Sequence, residues 1–383
     1  MDRRRALRFV VALGLVSLFA DITYEGARSI TGPYLGLLGA SAAVVGLVAG
    51  AGELIGYTLR LASGYLADRT RRYWALTLIG YTVNLAAVPL LALTGRWQTA
   101  ALLMILERTG KAVRTPARDA MLSHASAGLG RGWAFGLHEA MDQVGALTGP
   151  LVIALVLYLR GSMRFGFAVL AVPAVLALAT LLVARRAYPN PQLFETSHPR
   201  TGAKALPRAF WLYLVAVGLV AAGYADFPLM AYHLKRTATA PDAAIPLFYA
   251  GAMAVDAVAA LVLGRLFDRV GLAAVALGAL LAAGAAPLVF LGGLKGAVAG
   301  MVLWGIGMGA QESIMRAAVA GMAPPERRGF VYGVFNTGYG LCWFAGSALM
   351  GVLYGVSPVA LVIFSAAAQL AAVPLLLTIK LER

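Results

Sequence analysis

Several short series of ionisable residues interrupt otherwise apolar sequence, and their spacing puts each series on one face of a helix. Asp21, Glu25 and Arg28 are separated by four and three positions, and Glu107, Lys111, Arg114 and Arg118 by four, three and four. His138 and Asp142 stand one turn apart with Glu139 between them, and Glu53 and Arg60 are two turns apart. Two carboxylates one turn apart cannot both stay ionised cheaply in a low dielectric, so Asp21 and Glu25 have the chemistry of a proton carrier, or else of permanent partners for nearby bases. The basic stripe at 107–118 reads either as a buried ion-pair network or as a receptor, through Lys111 and Arg114, for an anionic group. His138 adds a group whose free imidazole titrates near neutral pH. With Glu139 and Asp142 it also offers a metal-ligand reading, which the neighbouring Lys111 and Arg114 oppose by repelling a cation.

The elements that must position these groups follow from composition. The 383-residue chain is 60% hydrophobic and 13% charged, with a mean hydropathy of +0.78, against about 25% charged residues in soluble domains. Twelve stretches are long enough to cross a bilayer: 8–37, 41–67, 73–94, 97–123, 131–159, 164–185, 209–234, 244–267, 272–292, 297–322, 329–355 and 357–379. MDRRR before the first stretch imitates a signal peptide, but Asp21, Glu25 and Arg28 occupy the place of a cleavage site, so this stretch reads as an uncleaved helix. A charge inside such a span is costly and usually functional or paired. The second half of the chain is poorer in them, offering Asp226, Asp256, Gln311, Glu312 and Arg316. Among its aromatics, Phe335 and Tyr339, four apart, are the preferred pair to line a cavity for an organic compound.

The basic residues set the orientation. With both termini cytoplasmic, nineteen Lys and Arg fall in inside segments and six in outside segments, and the remaining seven lie within spans. That bias is the positive-inside pattern of an inner (cytoplasmic) membrane protein. It explains the net charge of +15 without nucleic acid. The single Cys342 excludes an intrachain disulfide.

The chain also repeats itself. Gly64, Asp68 and Arg69 return as Gly264, Asp268 and Arg269, an offset of 200, and Arg131, Gly132, Gly136 and Gly149 return as Arg328, Gly329, Gly333 and Gly346, an offset of 197. The expected architecture is therefore an all-α membrane protein of twelve transmembrane helices in two six-helix pseudo-repeats, 1–186 and 209–383, joined by a Pro-rich cytoplasmic linker at 187–208. Gly64 is of the type that admits a second backbone. Asp68, at a helix C-terminus where its charge is unfavourable, needs a partner such as Arg69 or Arg72.

The run GYLADRTRR, Gly64 to Arg72, resembles the loop between helices 2 and 3 of the major facilitator superfamily, with a weaker partner at 264–271. Gly145, Gly149 and Pro150 resemble the first part of the helix 5 motif of its antiporters, whose closing glycine pair is replaced here by Ile153 and Ala154. The resemblance implies a gate at the loop motifs and proton-coupled export of a small amphipathic or charged organic compound by alternating access. It also implies a monomer whose partners are substrate, protons and membrane lipids. Two alternatives remain: export of a metal ion or its chelate, and a membrane receptor or scaffold that transports nothing. Neither a nucleotide-binding Gly-rich loop nor a zinc-protease or serine-nucleophile motif is present, so no enzyme activity and no cofactor is expected.

Overall fold

The computed structural model describes residues 3–126, 131–189, 208–322 and 328–379, and among them all regular structure is helical. The first six spans are α1 (Arg3–Leu37), α2 (Ala42–Thr70), α3 (Tyr73–Leu90), α4 (Trp97–Ser126), α5 (Arg131–Arg160) and α6 (Met163–Ala187). The next six are α7 (Arg208–Arg236), α8 (Ile245–Val270), α9 (Leu272–Leu291), α10 (Gly293–Met322), α11 (Arg328–Val356) and α12 (Pro358–Thr378). Four are not continuous α-helix. α6 is interrupted at Leu170, α7 between Gly223 and Phe227 and α9 at Gly284, and α10 passes through a π turn at Ala310–Ile314. Most of the linker, 190–207, lies outside the described residues.

Eleven of these helices are long and apolar enough to cross a membrane. The exception is α4, 30 residues long, which carries Glu107, Arg108, Lys111, Arg114, Arg118 and Asp119. Their outward faces confirm the solvent. On α6, Val172, Val175, Leu182 and Val183 are exposed while Ala174, Ala177 and Ala184 are buried; on α12, Ile363, Leu370 and Leu377 are exposed while Ala372 is buried. Large apolar side chains facing outward suit a chain surrounded by acyl tails, and the buried alanines allow close helix packing.

The chain forms two compact units, Met1–Ile30 with Leu59–Pro199, and Thr31–Thr58 with Arg200–Arg383. The C-terminal end of α1 and the N-terminal end of α2 thus belong with the second unit: Gly36 packs on the Tyr232 ring and Gly50 on Phe344 and Ser347. Inside each unit the sequence repeat has a structural counterpart. In the first, Gly149 of α5 lies against the Ile22 carbonyl of α1; in the second, Gly346 of α11 lies against the Ala222 carbonyl of α7. Gly346 follows Gly149 by 197 positions and Ala222 follows Ile22 by 200, the same two offsets found in the sequence.

Candidate functional site

In the first unit four helices bring polar stripes together. Ser17, Asp21, Tyr24, Glu25 and Arg28 line α1, Thr77, Tyr81 and Asn84 line α3, Glu107 to Arg118 line α4, and His138 and Asp142 line α5. Glycines set the spacing. A Cβ at Gly80 would lie 2.6 Å from the Arg114 backbone nitrogen and 2.7 Å from the Gly110 carbonyl, so α3 and α4 touch backbone to backbone. A Cβ at Gly145 would lie 2.5 Å from the Leu18 carbonyl and 2.8 Å from the Asp21 side chain. The helix 5 motif therefore holds α5 directly against the part of α1 that carries Asp21.

The charges sort into distinct contacts. Lys111 Nζ is 3.7 Å from Glu25 Oε1 and 3.8 Å from the Tyr24 ring centroid. Arg118 pairs with Asp119 at 2.8 Å, donates to Ser17 Oγ at 2.8 Å and lies 3.9 Å from Asp142, which is 3.4 Å from His138 Nδ1. Glu107 turns the other way, accepting from Asn84 Nδ2 at 2.7 Å with Arg108 at 3.4 Å. Arg114 rests on two tyrosines, its Cζ 4.1 Å from the Tyr81 ring centroid and 5.7 Å from that of Tyr24. Asp21 is buried within electrostatic range of Asp142, Lys111 and Arg114. Arg28 and Glu53 are half-buried. Several polar atoms of this cluster, among them Asp142 Oδ1, His138 Nε2 and the Nε and Nη1 of Arg114, are buried without a hydrogen-bond partner.

The second unit holds a different kind of site. Phe335 and Tyr339 stack at 5.7 Å, and the run of rings continues to Tyr213, Tyr57 and Trp343. Both residues are buried in this cluster, and Tyr339 donates its hydroxyl to Gln311 in the π turn of α10. The break in α7 is stitched by side chains. Ser365 and Gln369 donate to the Gly223 carbonyl at 2.6 Å and 3.1 Å, and Trp304 Nε1 to the Ala225 carbonyl at 2.8 Å. Asp226, at the restart of the helix, accepts from Trp343 Nε1 at 2.8 Å and from Ser347 Oγ. Breaking a helix in a bilayer frees backbone carbonyls that only neighbouring side chains can satisfy, and Trp304 of α10 with Ser365 and Gln369 of α12 perform that task here.

A family profile described as Major Facilitator Superfamily matches residues 13–347 and, in a second alignment, 212–383. The chain belongs to the Major Facilitator Superfamily. It is 43% identical over 387 residues to an uncharacterized protein of Mycobacterium tuberculosis, covering 99% of this chain and 94% of that protein. It is 26% identical to an uncharacterized MFS-type transporter of Methanocaldococcus jannaschii, covering 93% and 90%. Among solved structures, the peptide transporter POT aligns with a TM-score of 0.77 at 16% identity over 97% of this chain and 93% of that one. A bacterial homolog of the human lysosomal transporter Spinster, inward-facing, aligns at 0.71 and 17% identity over 97% and 95%. The protein is thus a multi-pass secondary transporter of a small-molecule substrate, and not an enzyme.

As a family member, the chain shows its loop motifs only in part. Arg69 donates to the Tyr65 hydroxyl at 3.3 Å, and Arg72, Asp268 and Arg269 are exposed; the side chain of Asp68 lies outside the described residues, as does that of Arg316. The Cβ position of Gly64 meets only the Pro116 ring, at 3.5 Å, and that of Gly264 meets nothing within 4 Å. Close backbone approach occurs instead at Gly80, Gly110, Gly145 and Gly149. Glu312 is exposed and Asp256 buried. Among the described residues, no group of three or more His, Cys, Asp or Glu is placed to hold a metal ion. Sequence reasoning passed over Tyr81 and Asn84, the residues of α3 that receive Arg114 and Glu107. Their signal was available: with Thr77 they form the polar face, spaced four and three, of a helix that carries no charge.

Proposed function

We propose that this transporter exports a small amphipathic or charged organic compound in exchange for protons, as a monomer of the inner membrane with both termini cytoplasmic. The observation that carries the reading is the first unit's cluster, in which Asp21, Glu25, Asp142 and His138 are held on adjoining helices against Lys111, Arg114 and Arg118. A carboxylate that takes up a proton gives up its hold on the neighbouring base, so protonation and the arrangement of α1, α4 and α5 are linked. Asp21 and Glu25 are assigned the proton, with the Asp142 and His138 pair as its second station. The six-helix halves at 1–186 and 209–383 are assigned the alternating movement, and the Asp68 and Asp268 loops with their following arginines the cytoplasmic gate. The positive-inside bias and the antiporter-like Gly145, Gly149 and Pro150 support the orientation and the direction of transport.

The test uses the purified full chain in proteoliposomes with a trapped pH dye and an imposed pH gradient. Organic anions, zwitterions and lipophilic cations are added singly as probes. A coupled probe accelerates proton movement in the wild type; Asp21→Asn or Glu25→Gln abolishes uphill flux while leaving probe exchange. Flux that ignores the pH gradient and follows sodium overturns the reading.

A further inference from the structure

Lys111, Arg114 and Arg118, three of the four cations of α4, differ in what answers them. Arg118 has Asp119, Asp142 and Ser17; Lys111 has Glu25. Arg114, between them, is only 1% exposed, yet among the described residues no carboxylate oxygen lies within 4 Å of it and its buried Nε and Nη1 donate to nothing. Its neighbours are the π faces of Tyr81 and Tyr24, which attract a cation without accepting its hydrogen bonds in the plane of the guanidinium. A guanidinium sealed from water with donors on two edges unanswered is an expensive arrangement for folding alone. Lys111, one turn away on the same Tyr24 ring at 3.8 Å, keeps 20% of its side chain exposed and marks the open end of the cluster. The planar fork of Arg fits carboxylate and phosphate oxygens, and the Lys adds a mobile point charge beside it.

We propose that Arg114, assisted by Lys111, is the receptor for an oxyanion of the transported compound, a carboxylate or a phosphate, so that the cargo is an organic anion or zwitterion. This rests on the transport reading above and narrows its substrate class. Tyr24 and Tyr81 keep the guanidinium flat and water-free when no cargo is bound, and the cargo's oxygens supply the missing acceptors.

A receptor and a structural strut behave oppositely in the ligand-free protein. Removing a strut lowers the melting temperature; removing an unanswered buried charge leaves it unchanged or raises it. The experiment therefore measures the Tm of the purified full chain for wild type, Arg114→Gln and Arg114→Lys. It then repeats the measurement with inorganic phosphate, glycerol phosphate, succinate, benzoate and glycine, and with the neutral glycerol, succinamide and benzamide. Lys235→Gln, in a half-buried pair with Asp242, controls for general charge effects. The expected result is an undiminished Tm for ligand-free Arg114→Gln and saturable stabilisation of the wild type by at least one oxyanion and not by its neutral counterpart. Affinity for that oxyanion falls about tenfold to a hundredfold in Arg114→Gln, recovers in part in Arg114→Lys and is unchanged in Lys235→Gln. A ligand-free Arg114→Gln that melts early or fails to fold overturns the proposal, as does a panel in which no oxyanion stabilises or one whose affinity survives the Gln substitution. The two readings fail separately. Oxyanion binding with flux indifferent to pH removes proton coupling alone, whereas pH-driven flux of cations without oxyanion binding removes the receptor alone.

Discussion

Trp343→Phe tests whether Asp226 is a staple of the broken helix α7. Asp226 is 2% exposed, with the Trp343 indole donating at 2.8 Å to one carboxylate oxygen and Ser347 donating to the other. Phe keeps a ring against Tyr224 and Tyr339, whose centroids lie 5.6 Å from that of Trp343, and deletes the N–H. Loss of one hydrogen bond to a charged acceptor costs about 1.5–3 kcal/mol. In a unit of about 200 residues, where 1 kcal/mol moves Tm by roughly 2–4 °C, the melting temperature should fall by about 3–12 °C. Packing lost with the larger indole adds to that drop, so the assay is a cycle of Trp343→Phe, Asp226→Asn and the double variant, each melted as full chain in detergent micelles. The hydrogen bond appears as a coupling of about 1 kcal/mol or more between the two sites. Trp343→Phe melting within about 1 °C of the wild type, or single effects that simply add, would refute the staple and return Asp226 to the list of candidate coupling residues.

Three further outcomes are expected, two from the helix contacts and one from the loop motifs of the sequence. Gly149→Ala should destabilise by about 1–3 kcal/mol, since its Cβ would lie 2.5 Å from the Ile22 carbonyl and 2.7 Å from the Gly26 nitrogen, whereas Gly56→Ala, with nothing within 4 Å, should be neutral or stabilising when the two are melted side by side. Asn84→Leu removes the 2.7 Å and 3.0 Å donations to Glu107; a loss of about 1–3 kcal/mol is expected, and an unchanged Tm would show that Glu107 is held by Arg108 alone. Asp68→Asn should slow transport strongly with little change in Tm, and Asp268→Asn should slow it less because its loop lacks the run of Arg69, Arg71 and Arg72; wild-type flux from both would remove the gate.

What was legible in the sequence was what depends on periodicity. The spacings of Asp21, Glu25 and Arg28 and of Glu107, Lys111, Arg114 and Arg118 fix a common helix face wherever the helix lies, and apolar length fixes a span. Continuity within a span is another matter. Gly223, Asp226 and Pro228 are a stop, a cap position and a start, but Leu, Val, Ala and Phe around them satisfy a hydropathy window that measures length and ignores hydrogen bonding. The stitching residues Trp304, Ser365 and Gln369 stand 79 or more positions along the chain from the carbonyls they meet, beyond any local pattern.

Partner choice within the charge cluster was illegible for a related reason. Spacing alone pairs any acid of α1 with any base of α4. The backbone contacts at Gly80 and Gly110 and at Gly145 and Gly149 decide how far each helix is shifted along its neighbour, and a shift of one turn would exchange the partners of Lys111 and Arg114. With the observed shifts Lys111 meets Glu25, Arg118 meets Asp142, and Arg114 falls between them onto tyrosine. The sequence puts Lys111, Arg114 and Arg118 on one helix face with acids at hand; only the count of donors and acceptors in three dimensions shows that Arg114 has been left with hydrogen bonds to give. In a bilayer, where neither water nor lipid tails can take them, that surplus is the observation on which the proposed oxyanion receptor rests.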